Sequence, residues 1–196
     1  ILTVSNYFAK VNHIKYGWHA GAPSFEFCWY NKNLSIIFRI NLNPGRLATD
    51  LIAIIDYEAG NLKNVQKALK FVGYDSIITS DKQDFGKADG IILPGVGNFG
   101  DAMNKLRQKQ LDKQISDIIL SGKPFLGICL GMQILFECSE ECPGVQGLGI
   151  IKGSVKRFPD NMGLKIPHIG FNSIDIKPNT RLFAGLNDNP FYYFVH

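Results

Sequence analysis

The chain has 196 residues, of which 45% are hydrophobic and 19% charged, a balance that excludes a disordered protein and allows one well-buried core. Its formal net charge of +4 is small, and no basic stripe interleaved with aromatics runs through residues 51–196, which argues against a nucleic-acid partner. Four cysteines, Cys28, Cys129, Cys138 and Cys142, are too few and too unevenly spaced for a disulfide framework, so reduced thiols in a cytoplasmic setting are expected.

Residues 1–50 carry five basic against two acidic residues and both tryptophans, Trp18 and Trp29. They show no clean period of 2 or 3.6, although "SIIFRI" (35–40) resembles a strand and "NPG" (43–45) a turn. Their basic character faintly suggests a targeting peptide, yet an Arg/Ser-rich amphipathic pattern and a secretory layout are both missing. The segment is expected to be an extension, or translated upstream sequence that is not native, outside the domain, which begins at residue 51. No apolar run anywhere is long enough to span a membrane.

From there the pattern becomes regular. "LIAIID" (51–56) is a β-branched run, and "GNLKNVQKALKFVG" (60–73) then puts Leu62, Val65, Leu69 and Val72 on one helical face before stopping at Gly73. "SIIT" (76–79) and "GIILPG" (90–95) predict buried strands, residues 98–121 a helical stretch, "KPFLGIC" (123–129) a strand, and "GMQILFE" (131–137) the start of a helix. "GLGII", "SVKRF", "NSIDI" and "FYYFV" follow as shorter strand-like pieces. Apolar strands alternating with amphipathic helices predict an α/β fold, a mostly parallel open sheet covered on both faces.

Ligands of such sheets gather beyond the carboxyl ends of the strands, and Cys129 stands at one. The pattern G-x-C-x-G, Gly127 to Gly131, has the form of a nucleophile elbow with cysteine in place of serine. Flanking glycines would prevent collisions across the turn. The helix start would lower the thiol pKa, and the Leu130 N–H would help bind an oxyanion. The competing reading is a small buried cysteine in a tight turn. "LPGVGNFG" (93–100) also follows a strand, and its glycines would permit an inward N–H at Val96 or Gly97. Gln133, one turn beyond Cys129, offers a donor and an acceptor to the same pocket.

The motifs "PGVGNFG", "KPFLGICLGMQILFE", "GLGIIKGSVKRF", "KIPHIGFNSI" and "YYFVH", in that order, resemble the class I glutamine amidotransferases, and P-G-V-G in particular the glutaminase subunits of imidazole glycerol phosphate synthase. The resemblance covers 51–196 and begins at "IAIIDYEAGNL". It implies a flavodoxin-like fold and no cofactor or metal. It also implies that Cys129 attacks the side-chain amide of L-glutamine, giving a γ-glutamyl thioester and ammonia. Backbone N–H groups of Val96 and Leu130 would form the oxyanion hole, and Gly95, Gly97 and Gln133 would contact the substrate. The implied partner is a (βα)₈-barrel cyclase subunit that receives the ammonia in histidine biosynthesis.

A cysteine nucleophile needs a histidine and a carboxylate to orient it, which the family supplies from an H-P-E motif. The sequence holds His13, His19, His168 and His196 but no H-P-E. His168 matches a family motif that is not the triad histidine, and His196 matches a strand before the glutamine-binding turn; neither is assigned as base. The domain is therefore expected to be incomplete at its C-terminus, with unpaired strand edges left exposed.

Two departures from the family are Glu58, where glycine is frequent and a minor loop effect is expected, and Phe171, where tryptophan is usual and the partner contact would weaken. "CSEEC" (138–142) lacks the second ligand pair of a zinc centre and reads as solvated charges between two helix-end cysteines. Two other readings remain open: a non-catalytic glutamine-binding or regulatory protein, and another cysteine hydrolase on the same fold.

Overall fold

A computed structural model describes residues 2–4, 51–163, 165–174, 176 and 191–195. The expected strand at 35–40, the turn at 43–45, the two tryptophans, Cys28, His13, His19 and His196 lie outside the described residues. In chain order the elements are β1 (Leu2–Val4), β2 (Leu51–Ile55), α1 (Leu62–Phe71), β3 (Asp75–Thr79), α2 (Lys82–Lys87), β4 (Gly90–Gly95), α3 (Phe99–Gln108), α4 (Leu111–Leu120), β5 (Phe125–Cys129), α5 (Leu130–Gln133), β6 (Phe136–Ser139), β7 (Ile151–Arg157), β8 (Ile169–Ser173) and β9 (Phe191–Val195).

Four strands form a wholly parallel sheet in the order β3-β2-β4-β5. The period-2 alternation of side chains sorts its residues onto two faces. Ala53, Ile55, Ile91, Leu93 and Phe125 meet Phe85 of α2 and the apolar stripes of α3 and α4, which include Met103, Leu106, Leu111 and Ile115. Ile52, Ile54 and Ile92 turn the other way, onto Leu69, with Leu62 and Val65 of α1 packed alongside. Helices therefore cover both faces, as the alternation of strands and helices predicts. Asn61 caps α1 by accepting the Asn64 N–H, and Gly73 follows the helix at φ +86°, a left-handed stop that glycine adopts without strain.

The other described strands belong to separate sheets. β6 pairs parallel with β7, β1 lies antiparallel on the other side of β7, and β8 and β9 form an antiparallel ribbon. In the ribbon Asn172 and Tyr192 are buried, whereas Ile169, Phe171, Phe191, Tyr193 and Val195 are exposed.

Three expectations need correction, and one further element joins those expected. The helical stretch at 98–121 is two helices, broken where Gln110 takes a left-handed φ of 55°. The apolar stripe loses phase there, since Leu106 and Leu111 are both buried but lie five residues apart, not three or four. A further short helix, α2, lies between β3 and β4; Asp81 caps it. "SIIT" is an edge strand and only half buried. The helix after Cys129 lasts four residues before "FECS" becomes β6. There the loop at 147–151 takes the carbonyls a longer helix would use: the N–H groups of Leu148, Ile151, Gly149 and Gly147 donate to Ile134, Leu135, Phe136 and Glu137.

Candidate active site around Cys129

The strand order reverses direction between β2 and β4, and a sheet of this kind binds its ligands at that switch point, beyond the carboxyl ends. The loops leaving β2 and β4 meet there, beside the turn that ends β5. Gly95 and Cys129 are the last register pair of β4 and β5, so the P-G-V-G loop and the cysteine start from adjacent strand ends.

Cys129 has φ 55° and ψ −119°, a conformation that L side chains rarely adopt and that persists only when its surroundings enforce it. Three glycines do so here. A methyl on Gly127 would sit 2.7 Å from the Met132 Cα, one on Gly95 would sit 2.5 Å from the Gly131 nitrogen, and one on Gly131 would strike the Leu93 carbonyl. The turn is thus pressed onto the strand beside it at backbone distance, and only glycine fits. The G-x-C-x-G spacing does encode a strained strand-to-helix elbow.

The electrostatics differ from expectation. Burial pushes the Cys129 thiol above its ordinary value, and the Leu130 N–H beside the sulfur offsets this only in part. A helix of one turn has little macrodipole to offer, so desolvation wins. Burial therefore favours the thiol over the thiolate.

Around it, Val96 and Gly97 are exposed and Gly97 has φ +98°, so the loop turns outward where a ligand can reach it. Leu130 is buried and Gln133 nearly so, at 8% exposure. The start of α3 fixes the far end of this loop: Asn98 accepts the Gly100 N–H at 2.8 Å, and the Glu141 carboxylate accepts the Phe99 N–H at 2.8 Å. Glu141 belongs to "CSEEC", whose two glutamates are exposed as expected but whose cysteines do not stand at helix ends. Cys138 lies in β6, not at a helix end, Glu140 accepts the Arg157 N–H, and Glu141 is a helix cap. Among the described residues no group of three His, Cys, Asp or Glu is placed to hold a metal.

Glu58 matters more than its loop position suggests. Its φ is 64°, the left-handed region that favours glycine. The Lys105 ammonium donates to its carbonyl at 2.7 Å, and Lys109 pairs with its carboxylate at 2.9 Å, holding that carboxyl below the usual range. His168 lies just before β8, with Nε2 2.8 Å from the Asn172 Nδ2 and its ring stacked on Phe194. Burial lowers its pKa.

Sequence reasoning missed two residues of this region. Tyr57 follows the end of β2, is fully buried, and brings its hydroxyl to within 2.7 Å of where a Gly95 methyl would stand. Glu141 reaches α3 from 42 positions away in the chain. No local pattern signals either contact.

Residues 53–196 match the family model "Glutamine amidotransferase class-I". The chain belongs to the class-I glutamine amidotransferases. Within that family it is 48% identical over 149 residues to "Imidazole glycerol phosphate synthase subunit HisH 1" of Methanococcus maripaludis, covering 74% of this chain and 72% of that one. It is 52% identical over 148 residues to the HisH subunit of Trichormus variabilis, covering 74% and 69%. A crystal structure of a glutamine amidotransferase superposes with a TM-score of 0.55 at 17% identity, over 73% of this chain and 70% of that one, a likeness of fold. The amidotransferase domain thus carries the HisH branch's sequence on a flavodoxin-like parallel sheet, and the resemblance drawn from its motifs holds. Among the described residues no helix is long and apolar enough to cross a membrane.

Proposed function

We propose that this amidotransferase is the glutaminase subunit of imidazole glycerol phosphate synthase in histidine biosynthesis, and that Cys129 is its nucleophile. The observation that carries the reading is the Cys129 elbow, strained in its backbone and closed by three glycines at the mouth of the β4 and β5 ends. A strained residue so over-determined by its neighbours is characteristic of a site where strain serves a reaction.

In this reading L-glutamine enters over the P-G-V-G loop, held by Gly95, Gly97 and Gln133. A histidine base, which the family takes from its H-P-E motif and for which no residue of this sequence is assigned, removes the thiol proton that burial otherwise retains. The sulfur then attacks the side-chain carbonyl carbon. Negative charge gathers on the carbonyl oxygen, where the N–H groups of Val96 and Leu130 stabilise it. The amide nitrogen leaves as ammonia after gaining a proton. Water then cleaves the γ-glutamyl thioester to glutamate and restores the thiol. The ammonia passes to a (βα)₈-barrel cyclase subunit, with which this chain forms a heterodimer. Free thiols at Cys129, Cys138 and Cys142 suit a reducing, cytoplasmic setting.

Ammonia release from glutamine, measured with the cyclase subunit present, tests the reading. Release that Cys129→Ala abolishes is expected, with peptides left intact. Hydrolysis of peptides in preference to glutamine, or release that survives Cys129→Ala, would overturn it.

A further inference from the structure

Glu58 stands where the backbone favours glycine, and each polar group it carries is engaged. Its N–H donates to the Asp56 carboxylate at 2.9 Å, its carbonyl accepts the Lys105 ammonium at 2.7 Å, and its carboxylate pairs with Lys109 at 2.9 Å. A left-handed φ of 64° on a residue with a Cβ is costly and persists where its surroundings over-determine it. Here those surroundings are Asp56, just past β2, and the second half of α3 with its capping residue Lys109. Both ends of the P-G-V-G loop meet the same brace. At the entry, a methyl on Gly60 would sit 3.4 Å from the Pro94 carbonyl carbon, so the segment 57–60 packs directly on the loop. At the exit, Asn98 caps α3, which runs unbroken for ten residues. A tether on Lys105 and Lys109 therefore fixes the direction in which Gly97 and Asn98 leave.

We infer that Glu58 is a positioning residue for glutamine hydrolysis, an electrostatic latch that ties the β2–α1 loop to α3 and holds the Val96 N–H in place for the developing oxyanion. This role rests on Val96 supplying that N–H to a reaction at Cys129. Donors fixed in advance need no reorganisation as charge forms, so a loosened loop should cost rate more than affinity. The Glu58 side chain is 67% exposed, so the effect is modest and sensitive to salt.

The test is the kinetics of Cys129 labelling by the glutamine analogue 6-diazo-5-oxo-L-norleucine, followed by peptide mass spectrometry. Iodoacetamide, which needs the thiol but no glutamine pocket, is the control. The unchanged protein is compared with Glu58→Ala, Lys109→Met and the double variant, whose thermal midpoints should agree because the pair is exposed. Each single variant should lower the maximum labelling rate about threefold with the half-saturating concentration held, and the double variant should lower it no further. Sodium chloride at about 1 M, which screens charges beyond about 3 Å, should cause the same fall in the unchanged protein and none in the double variant. Iodoacetamide rates should be alike throughout. Variants that label as fast as the original, or that slow equally with iodoacetamide, would overturn the inference and leave Glu58 a surface ion pair. Absence of labelling at Cys129 in the unchanged protein would instead overturn the nucleophile itself.

Discussion

The central parallel sheet and the β8–β9 ribbon are built from equally apolar strands and meet different fates. In the sheet, every residue of β4 is buried, because α1 covers one face and α2, α3 and α4 the other. In the ribbon, burial alternates: Tyr192 is 5% exposed, while its neighbours Phe191 and Tyr193 are 49% and 40% exposed. The difference teaches where precision resides. Close two-sided packing permits the backbone contact that strains Cys129, whereas the ribbon leaves Ile169, Phe171, Phe191, Tyr193 and Val195 exposed on its outer face.

Several substitutions break or sharpen that contrast. The largest effect should come from Gly131→Ala, which drives a methyl into the Leu93 carbonyl. Backbone cannot yield as a side-chain tip can, so a loss of about 3 kcal/mol is expected in denaturant unfolding. A loss below about 0.5 kcal/mol would mean that the elbow is not pressed onto β4. A smaller effect concerns pH. Cys129 and Tyr57 both hold their protons more tightly folded than unfolded. The stability they contribute is therefore complete below the unfolded values, about 8.5 and 10, and is lost as pH rises through the higher folded values. The thermal midpoint should fall above about pH 9, and Cys129→Ala should flatten the first part of that fall. The smallest effect should follow Ile169→Ser on the exposed ribbon face, within about 0.5 kcal/mol. A large loss there would give the ribbon a packed outer face and erase the contrast.

Much of this was legible in the chain. The β-branched runs at 51–55 and 90–95, the amphipathic α1 and the glycine stop at Gly73 rest on local periodicity, and the structure follows them. The elbow was legible because glycine spacing is itself a steric statement. What escaped was decided by distant contacts. β6 replaces a helix because the loop at 147–151 captures its carbonyls. The thiol is held high because burial outweighs a one-turn helix, and Glu141 caps a helix far from it in sequence. Glu58 shows the intermediate case: its departure from glycine was visible, but its left-handed backbone and its two lysine partners were not.

The central claim is that the enclosed elbow makes Cys129 the nucleophile toward glutamine. Intact-protein and peptide mass spectrometry after treatment with a glutamine-analogue electrophile tests it most directly. One adduct, carried by Cys129 and lost in Cys129→Ala, is the predicted result. Equal labelling of Cys138 or Cys142, or an adduct that persists in Cys129→Ala, would contradict it.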